Sequence, residues 1–92
     1  MDDVRHDEAA RRFVIAAPGG DAVLLYEPLD QERVDFVSTF VPPALRGRNV
    51  GTRLVAAALD WARERGLKVV PSCWFVAEVM ERVPGYADLR AS

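Results

Sequence analysis

Between positions 46 and 51 the chain reads Arg46-Gly47-Arg48-Asn49-Val50-Gly51, a spacing of guanidinium groups and glycines suited to holding a phosphate or diphosphate. Arginine offers paired N–H donors that match two phosphate oxygens at once. Glycine lets main-chain amides approach a ligand with no Cβ in between. A helix starting at the end of this run leaves its first amides without intrahelical partners, and its macrodipole adds partial positive charge at the same place. The plainer alternative is that Gly47 and Gly51 only shape a tight turn. The run lacks both the Gly-Lys-Ser/Thr ending of a nucleotide P-loop and the three spaced glycines of a dinucleotide fingerprint.

Cys73, the one cysteine of the chain, is the second candidate. It falls near the start of an expected helix, where a thiolate is stabilised. The competing reading is a small buried apolar residue between Pro71 and Phe75. The one histidine, His6, sits in a polar N-terminal stretch and is expected to be solvated. A catalytic triad would need a histidine elsewhere, and no His, Cys and carboxylate residues share the spacing of metal ligands. Trp61 and Trp74 read as core or rim packing rather than ligand platforms.

The elements that must position these residues follow from periodicity. Arg12 to Ala17 and Ala22 to Leu29 are apolar runs around Pro18-Gly19-Gly20-Asp21, the signature of a hairpin. A third strand over Arg33 to Val41 is expected to place Val34, Phe36, Ser38 and Phe40 on one face, and Pro42-Pro43 to end it. From Val50 to Arg65 the apolar period becomes helical, closed by Gly66. Leu67 to Pro71 reads as a short strand, and a second helix runs from Ser72 or Cys73 to Val83 before Pro84. Residues 1–10 are expected to be a polar tail and residues 11–92 a single domain. Its class is α+β, a mainly antiparallel sheet of about four strands flanked by two helices.

Of the 92 residues, 50% are apolar and 28% charged, with a net charge of -2, which suits one compact domain with one core. That balance argues against a general nucleic-acid binder. Contact with RNA through Arg46, Arg48 and Arg53 ranks last among the readings. A lone thiol suits a reducing compartment, so cytoplasmic residence is expected. No apolar run approaches the roughly 20 residues of a membrane span, and no membrane partner is expected.

Two segments resemble one family. Pro42-Pro43-Ala44-Leu45 followed by Arg46 to Gly51 resembles the Arg/Gln-x-x-Gly-x-Gly/Ala pyrophosphate motif of the GNAT acetyltransferases, set after a strand and before a helix. Lys68-Val69-Val70-Pro71-Ser72-Cys73-Trp74-Phe75-Val76 and Arg82-Val83-Pro84-Gly85-Tyr86 are similar to segments of its small, cysteine-containing branch. The resemblance implies a minimal GNAT fold and an acetyl-CoA-dependent N-acyltransferase acting on an unidentified amine, small molecule or protein, as a monomer or homodimer. It implies phosphate contacts from Arg46, Gly47, Arg48, Asn49, Val50, Gly51 and Thr52. It also implies a main-chain donor at Phe40 or Val41 to polarise the thioester carbonyl, an assisting role for Cys73, and a Tyr86 that protonates the leaving thiolate or packs the last turn. The chain departs from the pattern where Asn49 replaces a glycine, where Ser38-Thr39-Phe40-Val41-Pro42 replaces a His-Thr-Glu-Val-Pro run, and at Val79 and Val83. Those changes raise an alternative, a catalytically degenerate module that binds CoA or another protein.

Overall fold

A computed structural model describes residues 4–91. Four antiparallel strands run in chain order, β1 (Val4–Asp7), β2 (Arg12–Ile15), β3 (Ala22–Pro28) and β4 (Arg33–Phe40). After β4 come a 3-10 turn (Pro43–Leu45), the long helix α1 (Val50–Glu64), strand β5 (Lys68–Val70), helix α2 (Trp74–Arg82) and a last 3-10 turn (Ala87–Leu89). Strand β5 lies beside β4 and parallel to it. Parallel neighbours require a crossover, and α1 supplies it.

The α+β architecture expected from the sequence is the one observed, with five strands rather than about four. The additional strand is β1, inside the stretch expected to be a tail; Met1, Asp2 and Asp3 of that stretch lie outside the described residues, as does Ser92. Val4 and His6 oppose Ile15 and Phe13 across the ladder, so β1 alternates its apolar-facing residues with Arg5 and Asp7. Four residues are too few for that alternation to stand out in the sequence.

The core forms where the inward faces of the sheet meet α1 and α2. Phe13, Leu24, Tyr26, Val34 and Phe36 from the strands pack against Leu54, Val55, Ala58, Leu59 and Ala62 of α1 and Val76, Val79 and Met80 of α2. Gly66, at φ 71°, adopts the left-handed conformation that ends α1, as anticipated.

Strand β4 departs from the expected pleat. Its register with β3 steps from Tyr26↔Phe36 to Leu25↔Ser38, leaving Val37 unmatched. A bulge of this kind reverses which face the following residues occupy. Val34 and Phe36 are buried as expected, but Phe40, expected to share their face, is 57% exposed, and half-buried Thr39 takes the inward side instead.

Candidate functional site

The site is built where β4 gives way to α1. Pro42 and Pro43 stop the strand and nucleate the 3-10 turn, with the Leu45 amide donating to the Pro42 carbonyl at 2.9 Å. Arg46 is drawn back toward the strand, its Nε donating to the Val41 carbonyl at 3.1 Å. Two residues then take positive φ, Gly47 at 84° and Asn49 at 59°. Asparagine is among the few non-glycine residues that adopt this geometry readily, so Asn49 performs the backbone task of a glycine.

Asn49 is the N-cap residue of α1, yet its side chain makes no capping hydrogen bond. The first helical bond across the junction runs from the Arg53 amide to the Asn49 carbonyl, 3.0 Å. The amides of Val50, Gly51 and Thr52 therefore have no carbonyl within the helix to reach. The two glycines of the turn serve different ends. A Cβ at Gly47 would meet open space, so its role is the left-handed backbone; a Cβ at Gly51 would stand 3.0 Å from the Phe75 ring and 3.3 Å from Val41 Cγ2. Turn-shaping accounts for Gly47, whereas Gly51 is set by close packing of α1 against Phe75 of α2 and against Val41, the residue that follows β4.

The strands also part here. Pairing of β4 with β5 stops at Asp35↔Val70, while β4 continues to Phe40. Pro71 follows Val70 and has no amide to donate; the chain touches β4 once more where the Cys73 amide donates to the Phe36 carbonyl at 3.0 Å. The wedge that results opens into a pocket of about 480 Å³.

Nearly all the residues singled out from the sequence line this pocket: Phe40 and Val41 from the strand, Arg46, Gly47 and Asn49 from the turn, Val50, Gly51 and Thr52 from α1, and Cys73 at the start of α2. Arg48 is exposed and is not part of the lining. Thr39, Leu45, Trp74 and Phe75 join it without having been anticipated. Trp74, expected to be packing, is 74% exposed. Its position next to Cys73 was the available signal. Cys73 is half-buried, with Sγ 3.6 Å from Thr39 Oγ1, a distance within reach of a weak thiol hydrogen bond. Among the described residues Arg46 is the one charged side chain of the lining, and neither a carboxylate nor an imidazole contributes to it.

Two polar candidates lie elsewhere. His6, expected to be solvated, stacks on Phe13 with ring centroids 4.1 Å apart, meets Trp61 edge-on at 4.8 Å, and places Nε2 2.5 Å from Tyr26 Oη. Desolvation lowers its pKa below the ordinary 6.5, with Arg65 adding to that and Glu8 and Asp7 opposing it. The correction follows from β1, which carries His6 onto the sheet. Tyr86 donates to Asp60 Oδ1 at 3.1 Å, and burial followed by this carboxylate raises its pKa. It packs the end of the chain and does not line the pocket, so of the two roles offered for it the structural one fits. Among the described residues no helix is long and apolar enough to cross a membrane.

Known proteins resemble this chain in sequence and in fold. The family described as GCN5-related N-acetyl-transferase matches residues 12–89. Protein NATD1 of Danio rerio is 39% identical over 83 residues, covering 88% of this chain and 76% of the relative. Protein NATD1 of Homo sapiens is also 39% identical, covering 88% and 74%. The NMR solution structure of a GCN5-like protein from Staphylococcus aureus superposes with a TM-score of 0.76 at 27% identity, over 98% of this chain and 88% of that one.

Proposed function

Because the chain belongs to the GCN5-related N-acetyltransferase family, we propose that it is an acetyl-CoA-dependent N-acyltransferase, with the pocket between β4 and α1 as its active site. Acyl transfer in general is the chemistry of the family; the thioester and the amine acceptor are the proposal. The observation that carries it is the uncapped start of α1, whose amides at Val50, Gly51 and Thr52 border the same pocket as the parted end of β4.

The residues present fit a CoA thioester. The α1 amides and its dipole suit a diphosphate, with Arg46 supplying charge at the rim and exposed Arg48 adding it from outside. Bound acetyl-CoA would supply an acyl group activated as a thioester. In this reading the main chain at Phe40 or Val41 directs an amide at the developing oxyanion, and Cys73, whose Sγ lies 3.6 Å from Thr39 Oγ1, orients the reacting carbonyl.

Thermal unfolding tests the binding half. At a hundredfold excess over Kd a single-site ligand stabilises by about 2.7 kcal/mol, a Tm rise of roughly 10 °C or more for a domain of this size. No rise at millimolar acetyl-CoA overturns the reading. The absence of a carboxylate or imidazole from the described lining favours a second reading, a degenerate module that binds CoA without turnover. Release of free CoA thiol with a panel of amines separates the two.

A further inference from the structure

An amine acceptor must arrive with its nitrogen lone pair free. Alkyl amines such as lysine side chains and polyamines are ammonium ions at neutral pH. A site that uses them has to hold the cation and then remove a proton. Neither task has a carboxylate or an imidazole to perform it among the described residues of the lining. The charge that is present, Arg46 and the positive end of the α1 dipole, suits the diphosphate and offers no partner to an ammonium. An ammonium moved into this lining would find no carboxylate among the described residues to pair with.

What the pocket does offer is aromatic surface. Among the described residues the two most exposed large apolar side chains are Trp74 at 74% and Phe40 at 57%, and both border this one pocket. Phe75 backs Trp74, edge to face at 5.9 Å. Rings left this open are available for stacking against a planar ligand.

From this lining we propose that the acceptor is a weakly basic aromatic amine, neutral at physiological pH, which stacks on Trp74 and Phe40. This rests on the acyltransferase reading of the same pocket. The aryl nitrogen attacks the thioester carbonyl carbon, so that a C–N bond forms and the C–S bond breaks. The electron pair of that bond leaves with sulfur, and the proton shed by nitrogen passes through solvent to the thiolate, giving an anilide and CoA thiol. Deprotonation before attack, the step for which a general base is needed, does not arise.

Two isomers isolate the property that matters. 4-Methylaniline and benzylamine have the same atoms and one ring each, but only benzylamine is protonated at neutral pH. With saturating acetyl-CoA, thiol release at pH 7 is expected to favour 4-methylaniline by about a hundredfold in kcat/KM, the scale of a missing general base. The gap should narrow as pH rises toward 10, while the 4-methylaniline rate stays flat. Benzylamine or spermidine matching 4-methylaniline at pH 7 overturns the acceptor class and leaves the acyltransferase reading standing. Acetyl-CoA protection with no thiol release from any amine overturns both. Trp74→Ala, on an exposed side chain whose loss leaves the core intact, should raise the KM for 4-methylaniline about fivefold, with recovery in Trp74→Phe; an unchanged KM removes Trp74 from the proposal.

Discussion

The two ends of α1 treat their polar groups in opposite ways. At the far end Asp60 accepts from Tyr86, Arg63 pairs with Asp88 at 3.0 Å and also donates to the Gly85 carbonyl, and Arg65 pairs with Glu8 at 3.1 Å. Trp61 is set among His6, Phe13 and Tyr26, with Arg65 over its ring at 5.6 Å. Those contacts tie both ends of the chain, β1 and the last 3-10 turn, to one helix terminus. At the near end the cap side chain makes no bond, the first amides border a pocket, and large rings face water. One helix is thus anchored at one terminus and available for ligand at the other. The core between them lets the open end be uncapped without unravelling.

If the two ends are separable, damage to one should spare the other. Trp61→Ala, which empties the aromatic cluster, is expected to cost about 3 kcal/mol in urea unfolding while changing acetyl-CoA affinity by less than about twofold; a large loss of affinity would show that the ends are coupled. Gly51→Asp should remove the full ligand protection of about 2.7 kcal/mol, because it adds bulk against Phe75 and a negative charge where the diphosphate is expected. A Tm rise with acetyl-CoA that survives this change would break the assignment of the near end. Arg46→Ala should weaken acetyl-CoA binding about tenfold and make the remaining affinity less sensitive to salt, as expected when one charge-assisted contact is lost.

The smallest effect belongs to His6. Its folded-state pKa is lowered from 6.5, chiefly by desolvation, so the unfolded chain takes up a proton before the folded protein does. The stability it contributes is complete above pH 6.5 and is lost as pH falls below that value through the folded-state pKa. Tm measured in steps from about pH 7.5 to pH 5 should decline over that window. His6→Phe keeps a ring against Phe13 and should flatten the part of the decline that His6 causes, with acetyl-CoA protection at pH 7.5 unaltered.

The sequence made the anchored scaffold legible only in part, and the open end more fully. The change from twofold to helical period at Val50, the stop at Gly66 and the hairpin around Pro18 to Asp21 are local signals, and each element formed within a residue or two of its expected bounds. The turn from Arg46 to Thr52 was equally local, since its residues are consecutive. By contrast, β1 was hidden because its strand character depends on Ile15 and Phe13 across a ladder. His6 was misplaced for the same reason. The faces of Thr39 and Phe40 depend on how β4 registers with β3, which no periodicity inside β4 reveals. Trp74 reads as core or rim packing because its ring carries a large apolar area, whereas its exposure depends on where α2 begins relative to the parted strands.

Val37, the residue of β4 without a partner on β3, sets which face Ser38, Thr39 and Phe40 take. Were Val37 drawn into the ladder opposite Leu25, the three residues after it would change sides, directing Phe40 at α2 and lifting Thr39 into water, away from the sulfur it now steadies; deleting Val37 would remove the bulge and keep their present faces. Shape at this end of the sheet is therefore encoded by register as much as by residue type, and whether Val37 stays out of the ladder decides the chemical character of the two sides of the strand's tip.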